Sequence, residues 1–181
     1  MASEFSIDRG LVHVYTGEGK GKTSAALGIA LRALGWGAQV CMLQFIKGYP
    51  KIGEAMFADE LGERFVLKQF AIDMSRNIDE ATVSQRAESV NAAMSCAEAT
   101  VMGGEYDVVI LDEINGAVHF GLVEEARVLA LISGKPGSVE LILTGRDATP
   151  AIIDAADYAA NIVRIKHPYD RGIQARKGID Y

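Results

Sequence analysis

The chain has 181 residues and a formal charge of -6 at pH 7, with 49% hydrophobic and 23% charged residues, a size and balance that suit one α/β domain over residues 1–181. The acidic balance argues against a nucleic-acid partner, because counterion release along a phosphate backbone needs clustered Lys and Arg. The opening MASEFSIDRG has neither a basic n-region nor an apolar run, no later stretch approaches the ~20 apolar residues that span a bilayer, and Cys41 and Cys96 lack a second Cys or His at ligand spacing, so the expectation is a cytoplasmic protein with reduced thiols and no membrane partner.

In chain order, the apolar run 12–15 predicts a first strand, and 22–34 a first helix closed by Gly35 and Gly37 as caps. A second buried strand is expected over 38–45, then a loop from 46 to 64 that contains a short helix at 54–61, then a short strand at 65–70. Asp79 can cap a long helix whose apolar stripe runs through Val83, Ala87, Val90, Met94, Ala97 and Val101. The run 107–111 predicts a third central strand, followed at once by Asp112 and Glu113. A helix at 123–132 ending at Gly134, a strand at 139–143, the loop Thr144-Gly145-Arg146, a short helix at 150–156 and a last strand at 158–165 complete the reading. Strands alternating with helices predict an α/β fold, a mostly parallel central sheet with helices on both faces.

The chemistry concentrates in two places. Strand, Gly-rich turn and Lys22-Thr23 at a helix start form a phosphate cradle: backbone N–H groups and the positive helix end face an anion, Lys22 neutralises it, and the Thr23 hydroxyl can meet Mg²⁺. The expected ligand is a nucleoside triphosphate. The spacing departs from the general G-x-x-x-x-G-K-[ST] form, since Thr16 stands where glycine is required and only three residues separate Gly17 from Gly21. Roughly 90 residues on, YDVVILDE delivers Asp112 and Glu113 to a strand's C-terminal end, where a nucleotide-bound cation would sit. Glu113 is a candidate general base, and Arg146 a candidate contact to phosphate or to a second substrate. These residues alone leave hydrolase and transferase both open.

The runs VYTGEGKGKTSAALGIALRALGWG, QFIKG with Gly53-Glu54, VVILDEIN, LTGR and IKHPYDRGIQARKGIDY together resemble the ATP:corrinoid adenosyltransferase family from Gly10 to Tyr181, the short phosphate loop included. The resemblance implies a RecA-like P-loop fold and attack of a corrinoid's Co(I) on C5′ of ATP with expulsion of triphosphate, in adenosylcobalamin biosynthesis or salvage. It also implies Mg²⁺ or Mn²⁺, a flavoprotein reductant and a homodimer. Carried onto this chain, Gly17, Glu18, Gly19, Lys20, Gly21, Lys22, Thr23 and Ser24 cradle the triphosphate, while Thr23 and Glu113 place the metal with support from Asp112. Lys22, Thr23 and Glu113 then act on the leaving group. Arg32, about two and a half turns beyond Lys22, and Arg146 are candidate nucleotide contacts. Gln44, Phe45 and Lys47 are candidates for the corrinoid-facing side, and Phe70 for an aromatic face against the corrin. Reduced cobalt being the nucleophile, His119 and His167 need no catalytic part. Members usually carry a Gly-Phe-x-Trp element where this chain reads Lys68-Gln69-Phe70-Ala71-Ile72-Asp73, and its sole tryptophan is Trp36. With only about ten residues before the first strand, little room is expected for the extra helix that some members place over the site. The alternatives are a P-loop ATPase acting at the γ-phosphate and a nucleotide-dependent corrinoid-binding module without adenosyl transfer.

Overall fold

The computed structural model describes residues 5–46, 51–70 and 80–181, with the side chains of 80–84 excepted. The expectations placed on Lys47, on Ala71 to Asp73, on Asp79 and on the Val83 side chain lie outside the described residues. Six strands form one sheet: β1 (Val12–Thr16), β2 (Val40–Gln44), β3 (Phe65–Gln69), β4 (Val108–Asp112), β5 (Glu140–Thr144) and β6 (Tyr158–Asn161). Their order is β3-β2-β4-β5-β1-β6, and every pairing is parallel.

The composition of the central strands follows from their position. Helices cover both faces of a parallel sheet, so a central strand buries both sets of alternating side chains and reads as a continuous apolar run. VCMLQ of β2 and VVILD of β4 are buried at every residue. On one face α1 (Lys22–Gly35) packs with α2 (Gly53–Leu61). There Ala26, Ala30 and Ala33 bring the α1 backbone close to Met42, Ile110 and Ile142. On the other face lie α3 (Glu80–Gly103), α4 (Ile114–His119), α5 (Glu125–Gly134) and α6 (Pro150–Asp154). Their Met94, Ala97, Ile114, Val128 and Ile152 bury against Leu43, Val109, Leu111, Leu141 and Leu143. Removing one such leucine side chain costs about 2–5 kcal/mol, because the sheet cannot collapse into the space left.

The strand register decides where the site is. Gln69 lies beside Gln44, Gln44 beside Asp112, Tyr15 beside Thr144, and Thr16 beside Asn161. All six strands thus end in a hydrogen-bonding residue, and these ends form a polar row along the C-terminal edge of an apolar sheet. That edge is where ligands of parallel α/β sheets bind.

The structure corrects four local expectations. Gly35 is the last helical residue of α1, the cap is Trp36, and Gly37 follows at φ 92°. The predicted strand 158–165 pairs only as far as Asn161, since β6 is an edge strand held by β1 alone. Beyond it the Ile162 carbonyl accepts a hydrogen bond from the Gly19 N–H at 2.7 Å, which diverts the chain to the glycine-rich loop between β1 and α1. The helix α4 was not expected: INGAVH has little helical propensity, and burial of Ile114, Ala117 and Val118 overrides it. Two 3₁₀ turns, Gly62–Arg64 and Pro168–Arg171, were likewise not foreseen.

Candidate functional site

The loop between β1 and α1 is shaped by its own lysine. Lys22 Nζ donates to the carbonyls of Gly17 at 2.7 Å and Gly19 at 3.0 Å, and the residue is buried at 7% exposure. Gly17 has φ +99°, and a Cβ there would stand 2.1 Å from Asn161 Oδ1, so β6 and the loop meet too closely for any side chain. At the start of α1, the cap residue Gly21 offers no side-chain acceptor and the first turn has no acidic residue. The N–H groups of the first turn and the positive end of this helix therefore have no negative side chain of their own turn to face, which is the condition for anion binding. Burial pushes the Lys22 ammonium below the ordinary lysine range; Glu113, Glu18 and Asp112 oppose that shift, while Arg146 adds to it.

Asp112 anchors the other half. It is fully buried at the end of β4, and its Oδ1 accepts from Thr23 Oγ1 at 2.8 Å and from Thr144 Oγ1 at 2.6 Å. Its Oδ2 accepts from Gln44 Nε2 at 3.2 Å. Next in the chain, Glu113 holds a left-handed conformation at φ 64° and ψ 18°, and its N–H donates to Thr144 Oγ1 at 3.0 Å. A non-glycine residue in that region is held there at a cost of about 1–3 kcal/mol. Glu113 thereby leaves the strand direction and lines the cavity in front of Thr23, whereas Asp112 stays behind it. The Thr23 hydroxyl and these two carboxylates are oxygen donors of the kind that Mg²⁺ takes alongside phosphate oxygens. Among the described residues no three His, Cys, Asp or Glu side chains converge into a metal cage of their own. A hard divalent cation shared with a phosphate ligand fits this edge.

In front of these residues lies a cavity of about 630 Å³. Of the residues predicted from sequence, Glu18, Gly19, Lys20, Gly21, Lys22, Thr23, Ser24, Glu113 and Arg146 line it. Gly17 and Asp112 support it from outside. Arg146 pairs with Glu18 at 3.0 Å on the exposed rim. Lys20 pairs with Asp180 and donates to the Ile179 carbonyl at 3.2 Å, so that residues 178–181 form part of the wall. Asp180, held by Lys20 and by the Arg176 N–H and guanidinium, stays well below the usual carboxylate range.

Two predicted residues stand elsewhere. Arg32 is exposed on α1, and Leu31 and Leu34 of the same helix line the cavity in its place. Phe70 packs against the core on the α3 face, its ring 6.3 Å from that of Phe45, outside the cavity lining. Phe45 is fully buried, and Gln44 is a buried polar residue rather than a surface one. His167 lines the cavity, while His119 lies 3.7 Å from Asp147 in an exposed pair. The sequence reading assigned no role to Glu54 of α2, which forms part of the opposite wall with Phe57. The one available signal was the Gly53-Glu54 pair at a helix start.

Comparison with known proteins gives the chain's family and fold. A family model described as ATP:corrinoid adenosyltransferase BtuR/CobO/CobP matches residues 8–181. The chain is 36% identical to the corrinoid adenosyltransferase of Pseudomonas aeruginosa, over 96% of this chain and 85% of that protein. It is 33% identical to the corrinoid adenosyltransferase CobA of Salmonella typhimurium, over 96% of this chain and 87% of the other. Among solved structures, the flagellar accessory protein FlaH from Methanocaldococcus jannaschii superimposes with a TM-score of 0.56 at 15% identity, covering 88% of this chain and 74% of that one. That likeness concerns the fold, a RecA-like α/β arrangement with an all-parallel sheet.

Proposed function

Because this chain belongs to the ATP:corrinoid adenosyltransferase family, it is an enzyme of adenosyl transfer from ATP to a corrinoid, and we propose that the phosphate loop, Thr23, Asp112 and Glu113 form its leaving-group site. The observation that carries this reading is the uncapped start of α1, with buried Lys22 beneath the loop and Thr23 joined to Asp112 at 2.8 Å. In the reaction the corrinoid's Co(I) gives its electron pair to C5′ of ATP, the C5′–O bond breaks, and triphosphate departs with that bond's electrons. Charge therefore develops on the departing oxygens.

This chain's residues act on that charge. The loop N–H groups and the α1 terminus offer fixed donors, and Lys22 supplies positive charge in a site that excludes much of the water. Asp112 orients the Thr23 hydroxyl, and the strained backbone at Glu113 turns a second carboxylate toward the same point. Mg²⁺ or Mn²⁺, when bound by Thr23 and Glu113 with Asp112 behind, supplies further charge for the leaving triphosphate. No protein nucleophile is required, because reduced cobalt supplies the electron pair.

The reading extends to a flavoprotein as the source of electrons for Co(I), a homodimer and a cytoplasmic setting, in synthesis or salvage of the adenosylated cofactor. No helix among the described residues is long and apolar enough to cross a membrane. Anaerobic incubation with ATP and a chemically reduced corrinoid tests the proposal. A light-sensitive Co–C product with one inorganic triphosphate released per turnover is expected. Phosphate and ADP formed without corrinoid would instead assign hydrolysis at the γ-phosphate.

A further inference from the structure

Gln44 ends β2, is fully buried, and uses both sides of its amide. Its Oε1 accepts from Gln69 Nε2 at 3.0 Å. Its Nε2 donates to Asp112 Oδ2 at 3.2 Å and reaches Glu54 Oε1 at 3.4 Å. The two carboxylates and Gln69 together decide which way the amide faces, because a flipped amide would turn its oxygen against two carboxylates and its NH₂ against the NH₂ of Gln69. One neutral group with two protons thus stands between a buried carboxylate behind Thr23 and a carboxylate in the opposite cavity wall.

Resting on the leaving-group site proposed above, we infer that Gln44, oriented by Gln69, is a positioning residue for adenosyl transfer: it keeps Asp112 turned toward Thr23 and Thr144 and ties Glu54 of α2 to the same edge. Asp112 has two oxygens. With Oδ2 held by Gln44, Oδ1 is left to accept both threonine hydroxyls, and the carboxylate plane is fixed. Without that donor the carboxylate is held less firmly, and the Thr23 hydroxyl that it orients is held less firmly toward the ligand. The same amide links the phosphate-loop side of the cavity to the α2 side, so loading one side is felt by the other.

The test uses the full-length chain with Gln44→Leu, Gln44→Glu and Gln69→Leu. Initial rates of transfer are measured against ATP, corrinoid and Mg²⁺ from pH 6 to 9, alongside calorimetric titration with MgATP in the absence of corrinoid and thermal melting. For Gln44→Leu, kcat should fall about 10-fold or more, half-saturating Mg²⁺ should rise several-fold, and the KM for corrinoid should stay within about twofold. Gln44→Glu places a third carboxylate between two others, so its activity relative to the parent should recover as pH falls and the cluster takes up a proton. Gln69→Leu removes the donor to Gln44 Oε1 while the two carboxylates still face its NH₂, so it should show the Gln44→Leu defect in weaker form, about 2- to 5-fold.

A merely structural Gln44 would lower the melting temperature and leave the Mg²⁺ dependence and the pH profile of the surviving enzyme as in the parent; that result would overturn the inference. Lys22→Ala separates the two levels. If it binds MgATP like the parent, the leaving-group site itself is misplaced, whereas its failure to bind beside an unaltered Gln44→Glu pH profile removes the inference alone.

Discussion

Thr23 stands in the first turn of α1 and Asp112 closes β4, 89 residues apart in the chain, yet the threonine hydroxyl donates to the aspartate carboxylate at 2.8 Å. The strand between β4 and β1 in the sheet, β5, supplies Thr144 to the same oxygen at 2.6 Å. Two hydroxyls converging on one buried carboxylate join the ends of β4 and β5 and the first turn of α1 into a single edge. The glycine-rich loop between β1 and α1 is built onto that edge.

Asp112→Asn should therefore disturb more than charge. With its oxygen kept toward the two threonines, the new NH₂ faces the NH₂ of Gln44, and with the amide turned round it faces the threonine hydroxyls instead. Transfer rates, followed by triphosphate release, should fall about 10- to 10²-fold, the scale of losing a supporting group behind a ligand-binding side chain. Thr144→Val should show a smaller fall, since Thr23 still has its acceptor. A rate for Asp112→Asn within twofold of the parent would remove Asp112 from the site.

Lys22 should make ATP binding sensitive to alkaline pH. Burial holds its folded value below the ordinary 10.5, and a bound triphosphate favours the charged form. Binding therefore takes up a proton wherever the free protein has lost it, and affinity should fall as pH rises through the depressed value, below 10.5. Lys22→Ala should abolish that slope and reduce turnover at neutral pH by at least ~10²-fold, as when one preorganised electrostatic group is removed. Calorimetry across pH 7–10 reads the slope; a parallel slope in Lys22→Ala would assign it to another group.

Gly145 carries a steric demand that no ligand enters into. Its φ is +132°, and an added Cβ would meet the Gly116 nitrogen at 2.7 Å, backbone against backbone. Gly145→Ala should cost about 2–3 kcal/mol, from strain at a positive φ together with displacement of α4. For a chain of this size that is a fall in Tm of roughly 4–12 °C. Calorimetric scanning checks it, and an unchanged Tm would mean that the α4 contact is looser than described.

Glu140 should add an acid-sensitive component to stability. Burial pushes its carboxyl up, but hydrogen bonds from His13, at 2.5 Å, and from the Leu11 N–H, at 2.7 Å, outweigh that together with the charges of His13 and Lys135. The net folded value lies below the ordinary 4.5. A carboxylate depressed on folding contributes stability that is present above its unfolded value and lost as pH falls through the folded one. Stability should thus decline from about pH 4.5 downward, and Glu140→Gln should flatten that part of the curve. Urea midpoints between pH 3 and pH 7 measure the difference, and matching curves would refute the assignment.

Some of this was legible in the sequence because the physics is local. A glycine turn before Lys22-Thr23 forms a helix terminus without an acid, and the runs VCMLQ and VVILD are apolar throughout because they lie in the middle of a covered sheet. Glu113 and Lys22 were legible for the same reason: each follows or opens an element whose period is clear. Arg32 and Phe70 stand outside the cavity lining because helix phase and strand facing decide which way a side chain looks. One step around α1 exchanges Arg32 for Leu31, and the end of β3 turns Phe70 to the α3 face.

The sequence by itself determined the alternation of strands and helices, the phosphate loop and the two carboxylates after β4, all set by contacts within a few residues. Only the tertiary structure decided that Gln44, Gln69, Thr144 and Glu54 belong to the same edge. Parallel register brings together Gln44, Gln69, Asp112 and Thr144, strand ends 25 to 68 residues apart, and the packing of α2 adds Glu54. No local pattern encodes register; it follows from burying both faces of the sheet at once.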